Sequence, residues 1–310
     1  MKKWSFVLAA MAMASLTACG SSGSGQSTAA AELKEAENSE QASSTAAETT
    51  AQDEAAAGEA KQESASAEDT AQEAADGGAG GTFIVGFDQE FPPMGFIGDD
   101  GEYTGFDLDL AKEVAKRLGL EYKAQPIAWD SKDMELASGN IDCIWNGFTM
   151  TGREDDYTWS EPYMENAQVF VVKKDSGIKS QADLAGKNVE VQMDSSGQKA
   201  LEAEADLSAT FGQLVTTPDY NTAFMDLEQG AVDAICMDTI VAAYQIKSRN
   251  ADMEILPDSL SAEVYAVGFK KGNTELRDKV NATLEEMAAD GTLAKISDEW
   301  FGEDVTTIGK

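Results

Sequence analysis

The sequence predicts an α/β protein of two similar lobes joined by two crossing strands, and three features of residues 82–310 carry that prediction. Short β-rich apolar runs alternate with amphipathic segments of helical spacing, the pattern of strand–helix–strand units on a mostly parallel sheet. Leu136-Ala137-Ser138-Gly139-Asn140-Ile141-Asp142-Cys143-Ile144 is matched by Leu227-Glu228-Gln229-Gly230-Ala231-Val232-Asp233-Ala234-Ile235. Each copy reads as the end of a helix, a glycine cap and a buried parallel strand. Two further β-like runs, 167–172 and 264–269, flank the second half and read as the strands of a hinge. The first lobe is therefore discontinuous, 82–172 with 264–310, and the second spans 173–263. A cleft is expected between them, where loops at strand ends converge.

Taken in order, 83–87 (Phe-Ile-Val-Gly-Phe) is a strand and is followed by Asp88. The segment 105–119 has apolar residues at helical spacing and a glycine stop. The first repeat copy leads through the strand-like 141–147 to Thr149-Met150-Thr151-Gly152-Arg153. In the second lobe, Asp183-Leu184-Ala185-Gly186-Lys187 precedes a strand at 188–191, then Asp194-Ser195-Ser196-Gly197 and an Ala/Glu-rich helix. Residues 220–227 form a short helix before the second copy, whose apolar run Val232 to Met237 ends on Asp238. The chain returns to the first lobe through a helix at 274–290 and closes with 291–302.

The first eighty residues are of another kind. Met1-Lys2-Lys3 and the apolar stretch 4–14 read as a secretion leader, too short to span a bilayer. Leu16-Thr17-Ala18-Cys19-Gly20 looks like a lipobox, so residues 1–19 are read as a lipoprotein signal with Cys19 the lipid acceptor. Residues 20–81 hold no aromatic residue, many acids and only Lys34 and Lys61 as bases. Such a stretch cannot offset its chain entropy by burial, and it is expected to be a disordered, self-repelling tether. The whole chain carries a formal charge of −33 and no histidine. That charge disfavours nucleic acid and anionic lipid as partners, and the missing histidine removes the commonest metal ligand and general base, so neither metal nor cofactor is expected. Cys143 and Cys236 sit in apolar runs and read as buried free thiols, with a disulfide between them as the alternative.

A guanidinium beside a hydroxyl can grip a carboxylate, and a lone carboxylate can grip an ammonium. With the segments 83–88 and 105–110, Thr149-Met150-Thr151-Gly152-Arg153 and Asp238 make the chain resemble the polar-amino-acid family of extracytoplasmic solute-binding proteins over roughly 82–302. The resemblance implies a type II periplasmic-binding-protein fold, closing on ligand like a Venus flytrap. It implies the capture subunit of an ABC importer: a monomer that takes up a free amino acid or cystine and meets permease subunits, here lipid-anchored at Cys19 outside the cell membrane of a Gram-positive-type cell.

By the same resemblance Arg153 holds the ligand carboxylate with help from Thr149, although its spacing from Thr149 is one residue shorter than the commoner pattern. Ser195 and Ser196 donate to that carboxylate as well, and Asp238 accepts the ammonium together with the carbonyls of Asn146 and Gly147. Phe91 and Trp129 are the aromatic walls, Asp88 meets a polar side chain, and Trp145 and Glu161 are further candidates at the wall and the hinge entry. Read by residue type alone, Arg153 could instead pair with Glu154 or Asp155, and Asp238 could cap the helix that begins at Thr239. Asp88 favours a cationic or amide side chain on the ligand, which leaves cystine, glutamine, arginine, lysine and histidine open. The competing class is an enzyme on the same scaffold, such as a cyclohexadienyl-type dehydratase, in which Glu161 or Asp88 would supply the acid or base.

Overall fold

The computed structural model describes residues 81–310. The leader, Cys19 and nearly all of the tether lie outside the described residues. The described part holds two mixed sheets, each built on the same three parallel strands. In the first lobe Glu121–Pro126, Thr82–Phe87 and Cys143–Ile144 lie side by side in parallel, and Gly268–Phe269 and Thr158–Trp159 extend the sheet antiparallel. In the second, Gln213–Thr217, Asn188–Gln192 and Ala234–Asp238 repeat that parallel triplet. The long strand Met164–Lys173 then runs antiparallel beside Ala234–Asp238.

The repeat seen in the sequence is a repeat of structure. The helices Lys132–Ser138 and Tyr220–Gln229 both end on a left-handed glycine, Gly139 at φ 79° and Gly230 at φ 78°. The aspartate that follows does the same work in both copies. Asp142 Oδ2 accepts the Ile84 amide at 2.7 Å, and Asp233 Oδ2 accepts the Asn188 amide at 2.9 Å. Each carboxylate thus satisfies a donor of the neighbouring parallel strand where the ladder is just beginning.

Alternation along the strands divides the second lobe into two packed layers. Val169 and Val171 face one side with Ile235, Met237 and the helix residues Tyr220, Phe224 and Leu227. Phe170 and Val172 face the other with Val189, Val191, Cys236 and Leu201. The first lobe packs the helix Phe106–Leu118, through Phe106, Leu110 and Val114, onto Phe83, Val85 and Phe87. The helices Thr274–Ala289 and Thr292–Phe301 complete that core through Val280, Leu284, Met287 and Leu293. Fully burying side chains of this size contributes about 1.5–3 kcal/mol each. Among the described residues no helix is long and apolar enough to cross a membrane.

Two expectations change. Residues 167–172, assigned to the first lobe, belong to the second sheet, because Gln168 to Val172 pair residue for residue with Asp238 to Ala234. The crossing comes earlier, at Ser160–Met164, where Ser160 and Tyr163 donate their amides to the carbonyls of Val267 and Tyr265. The run 264–269, expected as one strand, splits: Ser261–Tyr265 pairs with Met164–Lys173 in the second sheet, and Gly268–Phe269 enters the first. Cys143 and Cys236 are free, buried and in different sheets, so the disulfide alternative is not realised.

Candidate functional site

The C-terminal ends of the parallel strands in the two lobes face one another across a small cavity. A cavity of about 10 Å³ is left there between Asp88, Phe91, Trp129, Asn146, Gly147, Thr149, Arg153, Gln192, Ser195, Ser196 and Asp238. All ten ligand-site candidates lie on this wall; Gln192 was not among them. Trp145 is fully buried against Tyr163 and does not reach the cavity, and Glu161 is exposed, its amide bound to Asn281.

Arg153 follows the turn after the strand Cys143–Ile144 and is only 3% exposed. Its guanidinium lies over the Phe148 ring at 5.4 Å and donates to the Thr149 carbonyl at 3.1 Å and, across the cleft, to the Asp194 carbonyl at 3.4 Å. Among the described residues it forms no ion pair: Glu154 turns away to accept the Gly152 amide, and both Glu154 and Asp155 are exposed. A buried guanidinium bound only to carbonyls keeps an unused bidentate fork for an anion. Facing it is the start of the helix Ser196–Ala203, with Ser195 as its N-cap. The first-turn amides of a helix have no partners within the helix and favour negative charge.

The cavity wall also carries a buried acid. Asp238 occupies the N-cap position of the helix Thr239–Ser248, yet its carboxylate does not cap that helix. It accepts instead from Asn166 Nδ2 at 2.7 Å, Gln168 Nε2 at 2.9 Å and the Tyr265 hydroxyl at 2.6 Å. Burial, and after it the nearby Glu263 carboxylate, hold Asp238 well above the usual carboxylate range. No Lys or Arg forms an ion pair with it among the described residues. Of the hydroxyl or amide that Thr149 was expected to offer the ligand, the hydroxyl is donated to Glu263 at 2.9 Å.

The rest of the wall supplies the side-chain contacts. Phe91 packs against Tyr220 with ring centroids 5.9 Å apart, and Trp129 meets Phe148 edge-on at 5.5 Å. Gly147, at φ 56°, fits where nothing larger would: an added Cβ would lie 3.0 Å from the Phe91 ring and 3.1 Å from Tyr265. Its amide is held by the fully buried Asp107 at 2.5 Å, and burial pushes that acid up to about 7. Asp88 Oδ2 accepts from Gln192 of the other lobe at 2.7 Å, and its Oδ1 takes the Glu90 amide at 2.9 Å. Burial raises Asp88 to about 6, and among the described residues no base of its own lobe neutralises it. The cavity opens past Asp88 and Trp129 into a cleft of about 410 Å³ lined also by Glu90, Asp130 and Asp219, with no basic residue among the described residues of its wall.

Gln192, Asp107 and Glu263 are the polar residues of the site that sequence reading missed. The strand 188–191 was ended one residue early, although Gln192 closes its strand as Asp238 closes the matching one.

A two-lobed α/β scaffold with a polar cavity at the crossing of its lobes is shared by solute-binding proteins and by enzymes, and the relatives decide between them. The chain belongs to the bacterial extracellular solute-binding proteins, family 3, whose model matches residues 83–303. It is 36% identical over 230 residues to the L-cystine-binding protein TcyJ of Escherichia coli K12, spanning 73% of this chain and 85% of that one. The crystal structure of an ABC uptake transporter substrate-binding protein from Streptococcus pneumoniae with bound histidine superposes with a TM-score of 0.71 at 38% identity, over 73% of this chain and 94% of that one. An ancestral arginine-binding protein bound to arginine gives 0.67 at 40% identity, over 72% and 99%. These relatives are binding proteins, and the protein is one too, not an enzyme.

Proposed function

We propose that this protein captures a free polar or basic L-amino acid, or cystine, between its lobes and delivers it to the permease of an ABC importer. One observation carries the reading: among the described residues, a buried guanidinium without a carboxylate partner and a buried carboxylate without a cation line one small cavity. A zwitterion supplies both missing charges at once, and burying either group unpaired is costly. Arg153, with the helix start at Ser195 and Ser196, holds the carboxylate; Asp238, with the Asn146 and Gly147 carbonyls, holds the ammonium; Phe91 and Trp129 flank the side chain. Contacts drawn from both lobes reward closure, as in a hinge that shuts on its ligand.

The acids along the outer cleft, with no base among them, favour a side chain ending in a cation or an amide and disfavour a dicarboxylic acid. The relatives described as binding cystine, histidine and arginine keep those ligands open. On this reading the mature protein is a monomer, anchored through lipid on Cys19 to the outer face of the membrane of a Gram-positive-type cell. A thermal-shift screen of the twenty amino acids and cystine tests it. A ligand at one hundred times its Kd raises stability by about 2.7 kcal/mol. Arg153→Ala should abolish the response to every stabilising ligand; a melt unmoved by all of them refutes the reading.

A further inference from the structure

We infer that Asp238, the acid that receives the ligand ammonium, holds a proton before ligand binds because Glu263 is bridged to it by shared amides, so that ligand capture expels that proton. The inference rests on the amino-acid reading above. Glu263 does not line the cavity.

Strand register creates the pair. Asn166 and Gln168 are two residues apart on the long strand Met164–Lys173 and so project to one face. Gln168 lies opposite Asp238 on one neighbouring strand, and Asn166 lies opposite Glu263 on the other. Each amide nitrogen consequently serves both acids. Asn166 Nδ2 is 2.7 Å from Asp238 Oδ1 and 2.6 Å from Glu263 Oε1, and Gln168 Nε2 is 2.9 Å from both. Two carboxylate oxygens are thereby bridged by the same two nitrogens in a buried place; Asp238 is 3% and Glu263 7% exposed.

The cluster is short of protons. Gln168 Nε2 has two hydrogens and three acceptors in reach, the third being Ser196 Oγ at 3.0 Å. The carbonyl oxygens Asn166 Oδ1 and Gln168 Oε1 have no partner, and Gln168 is wholly buried. The other titratable groups facing the acids add no positive charge. Tyr265, Tyr220 and Cys236 are buried and held neutral, their protons bound more tightly by burial first and by the two acids after it. Arg153 lies beyond Thr149, bonded to that residue's carbonyl. A second carboxylate bridged to Asp238 by the same two amides, in a buried place, disfavours its ionised form and keeps the proton on Asp238. An ammonium brings three N–H donors and one positive charge to Asp238, which faces the cavity. The balance is protonated Asp238 plus zwitterion giving ionised Asp238 with bound zwitterion, and one proton to water. Glu263 is a positioning residue that acts through the shared amides.

The test uses the full chain and, as probe, whichever of the twenty amino acids or cystine gives the largest thermal shift. Isothermal titration at one pH in buffers of different ionisation enthalpy counts protons released per ligand, and a pH series gives the slope of Kd. Wild type should release about one proton, with Kd tightening about tenfold per pH unit while Asp238 holds its proton. Glu263→Gln keeps the shape, removes the neighbouring charge and offers an amide hydrogen to Asp238; it should bind with a pH-flat Kd and release none. The inference is overturned if wild type releases none or if Glu263→Gln releases as many as wild type; in either case the amino-acid reading survives. Should no amino acid bind at any pH, that reading falls and this inference with it. Should Glu263→Gln not fold, a wild type that releases no proton still overturns the inference.

Discussion

Asp194→Asn should weaken ligand binding far more than its half-buried position suggests. Lys132, at the start of the helix Lys132–Ser138 in the first lobe, is fully buried and forms an ion pair with Asp194 of the second. Its ammonium also donates to the carbonyls of Trp129 at 3.4 Å and Asp194 at 3.3 Å and lies 5.2 Å from the Trp129 ring. Asparagine tolerates the left-handed backbone at Asp194, φ 57°, so the change removes charge without backbone strain. Stranding a buried charge costs about 3–5 kcal/mol. Here the two carbonyls remain, and opening the hinge lets Lys132 rehydrate. The cost should thus appear in the closed, liganded state as about 1.4–2.8 kcal/mol, a ten- to hundredfold rise in Kd. Lys132→Met fills the same space without a charge to desolvate, and the Asp194 carboxylate, its side chain 41% exposed, stays in water. Adding Asp194→Asn to Lys132→Met should consequently cost under about 0.5 kcal/mol, the non-additivity expected of contacting residues. Calorimetric Kd values for the four proteins of the cycle measure this. A single Asp194→Asn variant that binds within twofold of wild type would show that the pair does not hold the lobes together.

Three further outcomes follow from the same geometry. Gly147→Ala drives a Cβ toward the Phe91 and Tyr265 rings at a positive φ and should lower stability by about 1–3 kcal/mol in a denaturant melt, with loss of ligand response. Asp88 binds its proton more tightly folded than unfolded, so its contribution to stability is present at low pH and lost as pH rises from about 4 through about 6. Asp88→Asn escapes that loss, and its unliganded stability relative to wild type should climb by up to about 3 kcal/mol over that window in pH-dependent chemical unfolding. Reductant should leave the melting temperature unchanged, because Cys143 and Cys236 are unpaired; a fall of several degrees would mean that a disulfide exists.

Features that sequence displays locally were legible: the helix Phe106–Leu118 from its spacing and glycine stop, and the twin helix–glycine–strand copies from their residue match. The cavity residues were legible mainly through the family resemblance, with strand ends such as Asp88 and Asp238 also visible as acids closing apolar runs. What was missed depends on pairing between distant segments. The strand Met164–Lys173 begins with the polar Glu165, Asn166 and Gln168, so its apolar signal starts late and the lobe boundary was drawn after it rather than before. Glu263 has no local mark at all; only its register opposite Asn166 brings it to Asp238. Lys132 reads as an ordinary surface residue of a short helix until the second lobe closes over it.

A crystal structure of the protein with the amino acid that most raises its melting temperature would test the central claim most directly. The carboxylate should sit in the fork of Arg153 beside the first turn of the helix Ser196–Ala203, and the ammonium within hydrogen-bond distance of Asp238. The side chain should run between Phe91 and Trp129 toward Asp88. A ligand lying outside the cavity, or reversed with its ammonium toward Arg153, would contradict the assignment of the two charged groups.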